Sequence, residues 1–488
     1  MGVGSWRVRS GLLTVLIVLV ALLLPAAPAH AAGYSITVKA PTGDTLTGRT
    51  FAAFQLGAYS NAVKANGKVT SVAVSNPNST AGEWITRAFT ANKITADKNY
   101  DAAGNLAKIT DAAKLRAIAK SLAADAKKPG ASVLSWKPTG AQANLTVPNM
   151  GLYLLMTNNS LSMIVSTKID GLDMANQTLG VVTMKNTVID LSKSAVGGSS
   201  ATVGLSKQFT ITTRFPQQAV NPTKLTITDT PTGMKYAAGS LTVKIGDATP
   251  VKIDPTASGN GFILDLSSRI AHNWEKQVVV TYSMIILQAN ASNKASSTYV
   301  IDGDTKTGGD TTVFVKSYGF TLKKTRVDNG NALANAGFKI MDKTHGKWLT
   351  WNATAKTWSQ AASETAAGEI RTDANGLIQY QNLAAGQYTV KETTTPTGMM
   401  NVKPSFTLQI NDDGSYRMVE NANTNLVGLN GSTVTVKNVN SITQMPLTGG
   451  FQRSMAGVVL TVISLGLILT LITLIRGRLS THRGSHSA

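Results

Sequence analysis

Residues 317–342 read SYGFTLKKTRVDNGNALANAGFKIMD, and the alternation inside this stretch decides the fold. Side chains two positions apart on a strand share a face, so Phe320, Leu322 and Lys324 line one side. Residues 372–399, TDANGLIQYQNLAAGQYTVKETTTPTGM, place Val390 and Glu392 on one face in the same way. Residues 432–440, STVTVKNVN, do so for Val434, Val436 and Asn438. Each inward apolar row therefore runs into a polar side chain. A buried lysine, glutamate or asparagine is costly by itself. Together the three offset one another, so the pattern predicts one β unit over residues 316–440 with Lys324, Glu392 and Asn438 meeting in its core.

Moving toward the N-terminus, residues 187–315 contain IDLSKSAV, KQFTITTRF, KLTITDT, SLTVKIG, QVVVTYSMIIL, ASSTYVID and TTVFVKS. These are short β segments separated by Gly, Pro, Asn and Asp turns, which is the pattern of a sandwich. Residues 32–186 begin with alternating strands, YSITVKA and RTFAAFQLGAY, and return to strands at GLYLLMT, SMIVSTK and LGVVTMK. One helix is expected between them, with Thr110 as its cap and an apolar face of Ala113, Leu115, Ile118, Leu122 and Ala126. The Lys127, Lys128, Pro129 and Gly130 run is expected to end it. The fold class expected is thus mostly β: tandem immunoglobulin-like β-sandwiches, the first carrying a helical insertion.

Both ends read as signals. Arg7 and Arg9 precede an apolar core from Leu12 to Leu24, followed by Pro25 and Ala29-His30-Ala31, which predicts a secretory signal peptide over residues 1–31. Residues 455–475 form an uncharged apolar run long enough for a transmembrane helix. The basic tail 476–488, with Arg476, Arg478 and Arg483, is expected to stay on the cytoplasmic side.

Composition narrows the chemistry. The 488 residues include no Cys, which excludes disulfides, thiolate-bound metals and a Cys nucleophile. Two Lys or Arg residues precede residue 32, four follow residue 448, and all 26 acidic residues lie between, so the intervening segment carries +14. Such charge attracts anionic polymers. The cations are scattered singly along strands, however, so a solvated surface is the expectation and no nucleic-acid partner is implied. The five His residues show no metal-ligand spacing, and neither a phosphate loop nor a Ser-His-Asp order is present. No cofactor is expected. Trp348, Trp351 and Trp358 flank a hairpin near residues 352–356; cross-strand packing is the expected role, with a sugar-binding platform as the alternative.

Several stretches resemble known families. The segment 441–488, with Met445, Pro446, Leu447, Thr448 and Gly449 before the span and basic tail, resembles the cell-wall sorting signal of Gram-positive surface proteins, with Met in place of the usual Leu. The resemblance implies cutting by a sortase between Thr448 and Gly449. Residues 316–440 resemble the collagen-adhesin B-type domain, and its motif falls on Lys324, Glu392 and Asn438. LTITDTPTGMKY, with NKASSTY downstream, resembles the middle domain of Gram-positive backbone pilins; the matching residues are Lys193 as amine, Asn293 as amide and Asp229 as helper acid. In the same family a lysine at the end of the first domain accepts the neighbouring subunit, and Lys185 occupies that place, with Thr183 and Met184 where the family has Tyr and Pro.

The implied chemistry is an isopeptide cross-link. Lys324 attacks the Asn438 side-chain amide and ammonia leaves, with protonated Glu392 expected to hydrogen-bond the amide carbonyl. This is a single-turnover self-modification rather than enzyme catalysis. The implied function is the shaft subunit of a covalently polymerised, wall-anchored adhesive fimbria. The implied partners are pilin-specific and housekeeping sortases, other pilin subunits, peptidoglycan, and a host or bacterial surface ligand that the sequence does not identify. The alternatives are a wall-anchored monomeric adhesin or minor pilin of the same architecture, and a secreted enzyme.

Overall fold

The computed structural model describes residues 33–41, 44–421 and 425–444. The expected signal peptide, the Met445–Gly449 motif, the apolar run and the basic tail lie outside the described residues. Among the described residues no helix is long and apolar enough to cross a membrane. The described chain is mostly β, gathered into paired sheets.

In the first unit, a three-stranded sheet has Tyr34–Lys39 between Gln142–Val147 and Val181–Thr183. It faces a five-stranded sheet built around the long strand Phe51–Ala65. Ile36, Val38, Phe51, Leu145, Tyr153 and Leu155 fill the space between them. The outer face of the larger sheet is also apolar, and helices cover it.

Three helices do so, where the sequence pattern predicts one. Ser79–Ala91 is capped by Asn78, Ala102–Ala107 by Asp101, and Ala112–Ala124 by Asp111. Asp111 rather than Thr110 is the cap, accepting from the amides of Ala113 and Lys114 at 2.8 and 3.1 Å. The last helix stops at Ala124 with Asp125 as its C-cap, so Ala126 is not part of its face and the 127–130 run lies beyond the end. The first helix escapes a propensity reading because STAGEWITRAFTA holds three Thr, one Gly and two aromatics. Its helical period lies in Trp84, Ile85, Ala88 and Phe89, all buried against Phe54, Leu56 and Leu154.

The second unit is a pair of sheets without α-helix. One runs Val251–Lys252, Thr242–Ile245, Gln277–Ile286, Ser206–Arg214, Ser192–Ala195; the other centres on Pro222–Thr232 and Ala291–Ile301. Phe209, Ile211, Leu225, Ile227, Phe262, Tyr282 and Tyr299 form the core.

The third unit packs a four-stranded sheet on a seven-stranded one. In the smaller sheet the first strand, Tyr318–Arg326, lies parallel and hydrogen-bonded to the last, Thr433–Asn438. Trp351 stands opposite Trp358 across the Lys347–Asn352 and Thr357–Ala361 hairpin, with ring centroids 4.9 Å apart. Trp358 is buried and its indole nitrogen donates to the Gln381 carbonyl at 2.7 Å. The Trp351 and Trp358 indoles therefore pack within the fold while Trp348 lies on the other face of its strand, so the three do not make one exposed sugar platform.

The junctions are built differently. Residues 200–205, on the second-unit side by sequence, dock along the third unit: Val203 N donates to Asn382 O at 3.0 Å and Trp358 N to Val203 O at 2.8 Å. Ala384 and Ala385 amides donate to Thr202 and Ser200 hydroxyls, each at 3.0 Å. Gly204 sits here at a φ of +95°, with a Cβ position only 2.3 Å from the Trp358 carbonyl oxygen, so only glycine permits this approach. Between the first and second units the contacts include two ion pairs, Lys120 with Asp304 at 2.9 Å and Arg116 with Asp302 at 3.8 Å, a hydrogen bond from the Asn186 backbone amide to the Gln217 side chain at 3.0 Å, and Leu161 packed against the second-unit core.

Candidate functional site: two buried lysine centres

In the third unit the alternation carries Phe320, Leu322 and Lys324 inward, and Lys324 is fully buried. Strand Gly386–Thr394 delivers Glu392 from the facing sheet, also fully buried, and Asn438 comes from the last strand at 1% exposure. The Lys324 Nζ lies 2.6 Å from Glu392 Oε2 and also donates to Asn438 Oδ1. Asn438 Nδ2 donates to Glu392 Oε1 at 2.9 Å. The three side chains thus close a triangle, walled by apolar neighbours including Phe338, whose ring centroid is 5.5 Å from the Lys324 nitrogen.

Burial decides the protonation. Loss of water pushes the Lys324 amine down to about 8, against the opposing pull of Glu392. The same loss raises the Glu392 carboxyl, against Lys324 and the bond from Asn438. Both shifts favour moving the proton from Lys324 to Glu392, which leaves a neutral amine beside an amide.

One detail differs from expectation. Glu392 faces the amide nitrogen of Asn438, while the amide oxygen faces Lys324. While the pair is charged, the ammonium requires an acceptor and the carboxylate a donor, and the amide satisfies both in this orientation only.

The second unit brings its candidates together as well. Lys193, on Ser192–Ala195 opposite Ile211, has a fully buried side chain with Nζ 2.6 Å from Asp229 Oδ2. Asn293, 0% exposed, lies on the strand beside Asp229: their registers pair Asp229 with Ala295 and Pro231 with Asn293. Burial pushes Lys193 down to about 8, with Asp229 opposing. The amide of Asn293 does not touch the carboxylate directly. Its Nδ2 donates to the Tyr282 hydroxyl at 3.2 Å, and that hydroxyl donates to Asp229 Oδ2. Asp229 Oδ1 and Asn293 Oδ1 are buried with no hydrogen-bond partner among the described residues.

Tyr282 is absent from the sequence reading. The signal that finds it is the one used for Lys324: Val278, Val280, Tyr282 and Met284 form an inward row on QVVVTYSMII, and Tyr is the member with a hydroxyl.

Lys185 stands apart from both centres. It follows strand Val181–Thr183 at the first junction, half-buried, with its backbone held by Ser160 and Leu161. Burial lowers its amine, Arg116 lowers it further, and Asp302 opposes them. Among the described residues no group of three or more His, Asp or Glu side chains is arranged for a metal ion.

Solved structures resemble the chain at low identity. The T6 backbone pilin of serotype M6 Streptococcus pyogenes is 14% identical, with 77% of this chain and 80% of that one covered at a TM-score of 0.45. The full-length major pilin SpaD from Corynebacterium diphtheriae is 13% identical, with 83% and 97% covered at 0.46. The Corynebacterium diphtheriae major pilin SpaA is 14% identical, with 83% and 100% covered at 0.41. No curated protein matches the chain. Residues 319–425, the segment that carries Lys324 and Glu392, match the family described as SpaA, a prealbumin-like fold domain.

Proposed function

We propose that this chain is the shaft subunit of a covalently polymerised, cell-wall-anchored adhesive fimbria, and that its second and third units staple themselves through Lys193–Asn293 and Lys324–Asn438 isopeptide bonds. One observation carries the reading: a lysine, a glutamate and an asparagine, all excluded from water, close a triangle between the first and last strands of the third unit. An ordinary stabilising core gains little from such a set, because apolar residues of similar volume do as well or better. As reactants the three are well placed. Lys324 gives its proton to Glu392, and the free amine attacks the Asn438 amide carbon. Glu392 then protonates the nitrogen it already touches and ammonia leaves, while Nζ, now bonded to the amide carbon, gives its surplus proton to Glu392, from which it departs with the ammonia as ammonium. No second substrate takes part, so the chain modifies itself once and is not an enzyme.

The bond suits a fibre under load. Pulling on the ends of the third unit separates Tyr318–Arg326 from Thr433–Asn438, and a covalent link between these neighbours resists that. It also removes freedom from the unfolded chain, the part a disulfide plays elsewhere, and the chain has no Cys. The placement on surface fimbriae follows from the resemblance of the sequence motifs to those of backbone pilins. The remaining steps rest on the sequence: export by the segment 1–31, sortase cutting at Thr448, joining to a lysine of the next subunit with Lys185 as candidate acceptor, and final transfer to peptidoglycan.

Two measurements test the reading. The intact mature chain is expected to be lighter than its sequence by about 17 Da for each bond, one ammonia per link; an unmodified mass refutes self-stapling. Wall extracts on a denaturing gel are expected to show a high-mass ladder that depends on sortase and vanishes in Lys185→Ala. A single band refutes the shaft role in favour of a monomeric adhesin, and a ladder that persists in Lys185→Ala removes Lys185 as acceptor.

A further inference from the structure

Asp229 reaches only one end of its reaction. Its Oδ2 is 2.6 Å from the Lys193 amine, and the Asn293 nitrogen hydrogen-bonds to Tyr282 instead. In the third unit one carboxylate serves both ends, with Oε2 on the lysine and Oε1 on the amide nitrogen. Aspartate is one methylene shorter than glutamate and here stands on the strand beside Asn293, and the Tyr282 hydroxyl bridges the two side chains. The side chain is fully buried. Its ring is held edge-on by Phe262, at 4.9 Å between centroids, and stacked with Phe209 at 6.0 Å. The hydroxyl is therefore fixed between donor and acceptor.

We propose that Tyr282 is a catalytic residue of the second unit, its hydroxyl relaying a proton from the Asp229 carboxyl to the departing nitrogen of Asn293. The proposal rests on the reading that Lys193 and Asn293 become joined. The steps balance. The Lys193 ammonium gives one proton to Asp229 and attacks the Asn293 side-chain carbon as a neutral amine. Tyr282 gives its proton to Nδ2 and takes the proton held by Asp229 in return. The carbon–nitrogen bond breaks and ammonia leaves. Nζ, now bonded to the carbonyl carbon, gives up a further proton to Asp229 as the amide forms, and this proton leaves with the ammonia as ammonium. Tyr282 ends as it began. Burial first, and the neighbouring Asp229 charge second, hold the proton on the Tyr282 hydroxyl, so it acts as a conduit and not as a standing base.

The experiment follows the full chain after cell-free synthesis, sampling tryptic digests over time for the Lys193–Asn293 and Lys324–Asn438 linked peptides. In Tyr282→Phe the second-unit link is expected to form about 10²-fold more slowly, the usual worth of a positioned proton donor. The third-unit link in the same molecules is expected to keep its wild-type rate. Asp229→Glu in the Tyr282→Phe background is expected to restore the second-unit rate, because the longer carboxylate reaches both ends. A Tyr282→Phe chain that links Lys193 to Asn293 within a few-fold of the wild-type rate overturns the relay. Slow linking without rescue by Asp229→Glu also overturns it, since that is the signature of lost packing. A wild-type chain that never yields the Lys193–Asn293 peptide overturns the underlying reading instead, so the two failures are distinguishable.

Discussion

The second and third units hold the same ingredients under the same conditions, yet they connect them differently. Each buries a lysine, an acid and an asparagine, and each lowers its lysine to about 8 by excluding water. In the third unit the three close on themselves. In the second they form an open chain, Lys193 to Asp229 to Tyr282 to Asn293, with one oxygen of Asp229 and the amide oxygen of Asn293 unpartnered among the described residues. Burial alone is thus shared and does not separate the two. The difference lies in the acid: Glu392 comes from the sheet facing its amide, whereas Asp229 is one methylene shorter, shares a sheet with Asn293, and meets the amide through a tyrosine of the opposite sheet.

The largest effect that tests this comparison is removal of an acid. Glu392→Ala is expected to leave the third unit unlinked while the second links normally. The lost cross-link spans 114 residues. A loop of that size is worth roughly 4–5 kcal/mol, on the order of 15 °C in the melting of that unit. Calorimetry showing an unchanged transition breaks the assignment of Glu392.

Shortening the acid is a sharper cut. Glu392→Asp in the third unit copies the second-unit acid without supplying a tyrosine, so linking there is expected to slow about 10²-fold with the product unchanged. A wild-type rate shows that reach is not what separates the two centres.

Acidity offers a third comparison. The reactive state holds one proton between amine and acid, so both links are expected to form fastest in a window of pH. On the alkaline side the window closes as the pair loses that proton, near the lowered lysine value of about 8. On the acid side it closes when the carboxylate takes up a second proton. For the third unit this limit lies above the ordinary glutamate range, because Glu392 is raised. Rates of peptide linking in buffers from about pH 4 to pH 10 read both limbs directly. A third-unit rate that stays flat down to the ordinary glutamate value breaks the argument from burial.

The smallest effect is the control. Lys120 and Asp304 form an ion pair across the first junction with both side chains about half exposed, 51% and 47%. Lys120→Ala is expected to cost less than about 0.5 kcal/mol and to leave both link masses unchanged. Denaturant unfolding checks the first expectation and intact mass the second.

Much of this was legible in the residues. The rows ending in Lys324, Glu392 and Asn438 come from counting by two, and a strand obeys that count wherever it is placed. By the same count the neighbouring Lys323 turns outward, and it is exposed. The first helical region was half legible. Ala112–Ala124 has a clear apolar stripe, whereas Ser79–Ala91 hides its period among residues of poor helix propensity, and the apolar outer face of the sheet overrides that propensity. Residues 200–205 carry no mark that they dock on the third unit, since their partners at residues 357–358 and 382–385 are remote in sequence.

The sequence by itself determined which side chains turn inward, because the pleat of a strand is a local property. Only the tertiary structure decided which inward rows face each other. Two sheets meet across a gap of about 10 Å, and their relative placement brings Glu392 onto Lys324 and Asn438 in the third unit, and Lys193 and Tyr282 onto Asp229 in the second. No count along one strand contains that distance.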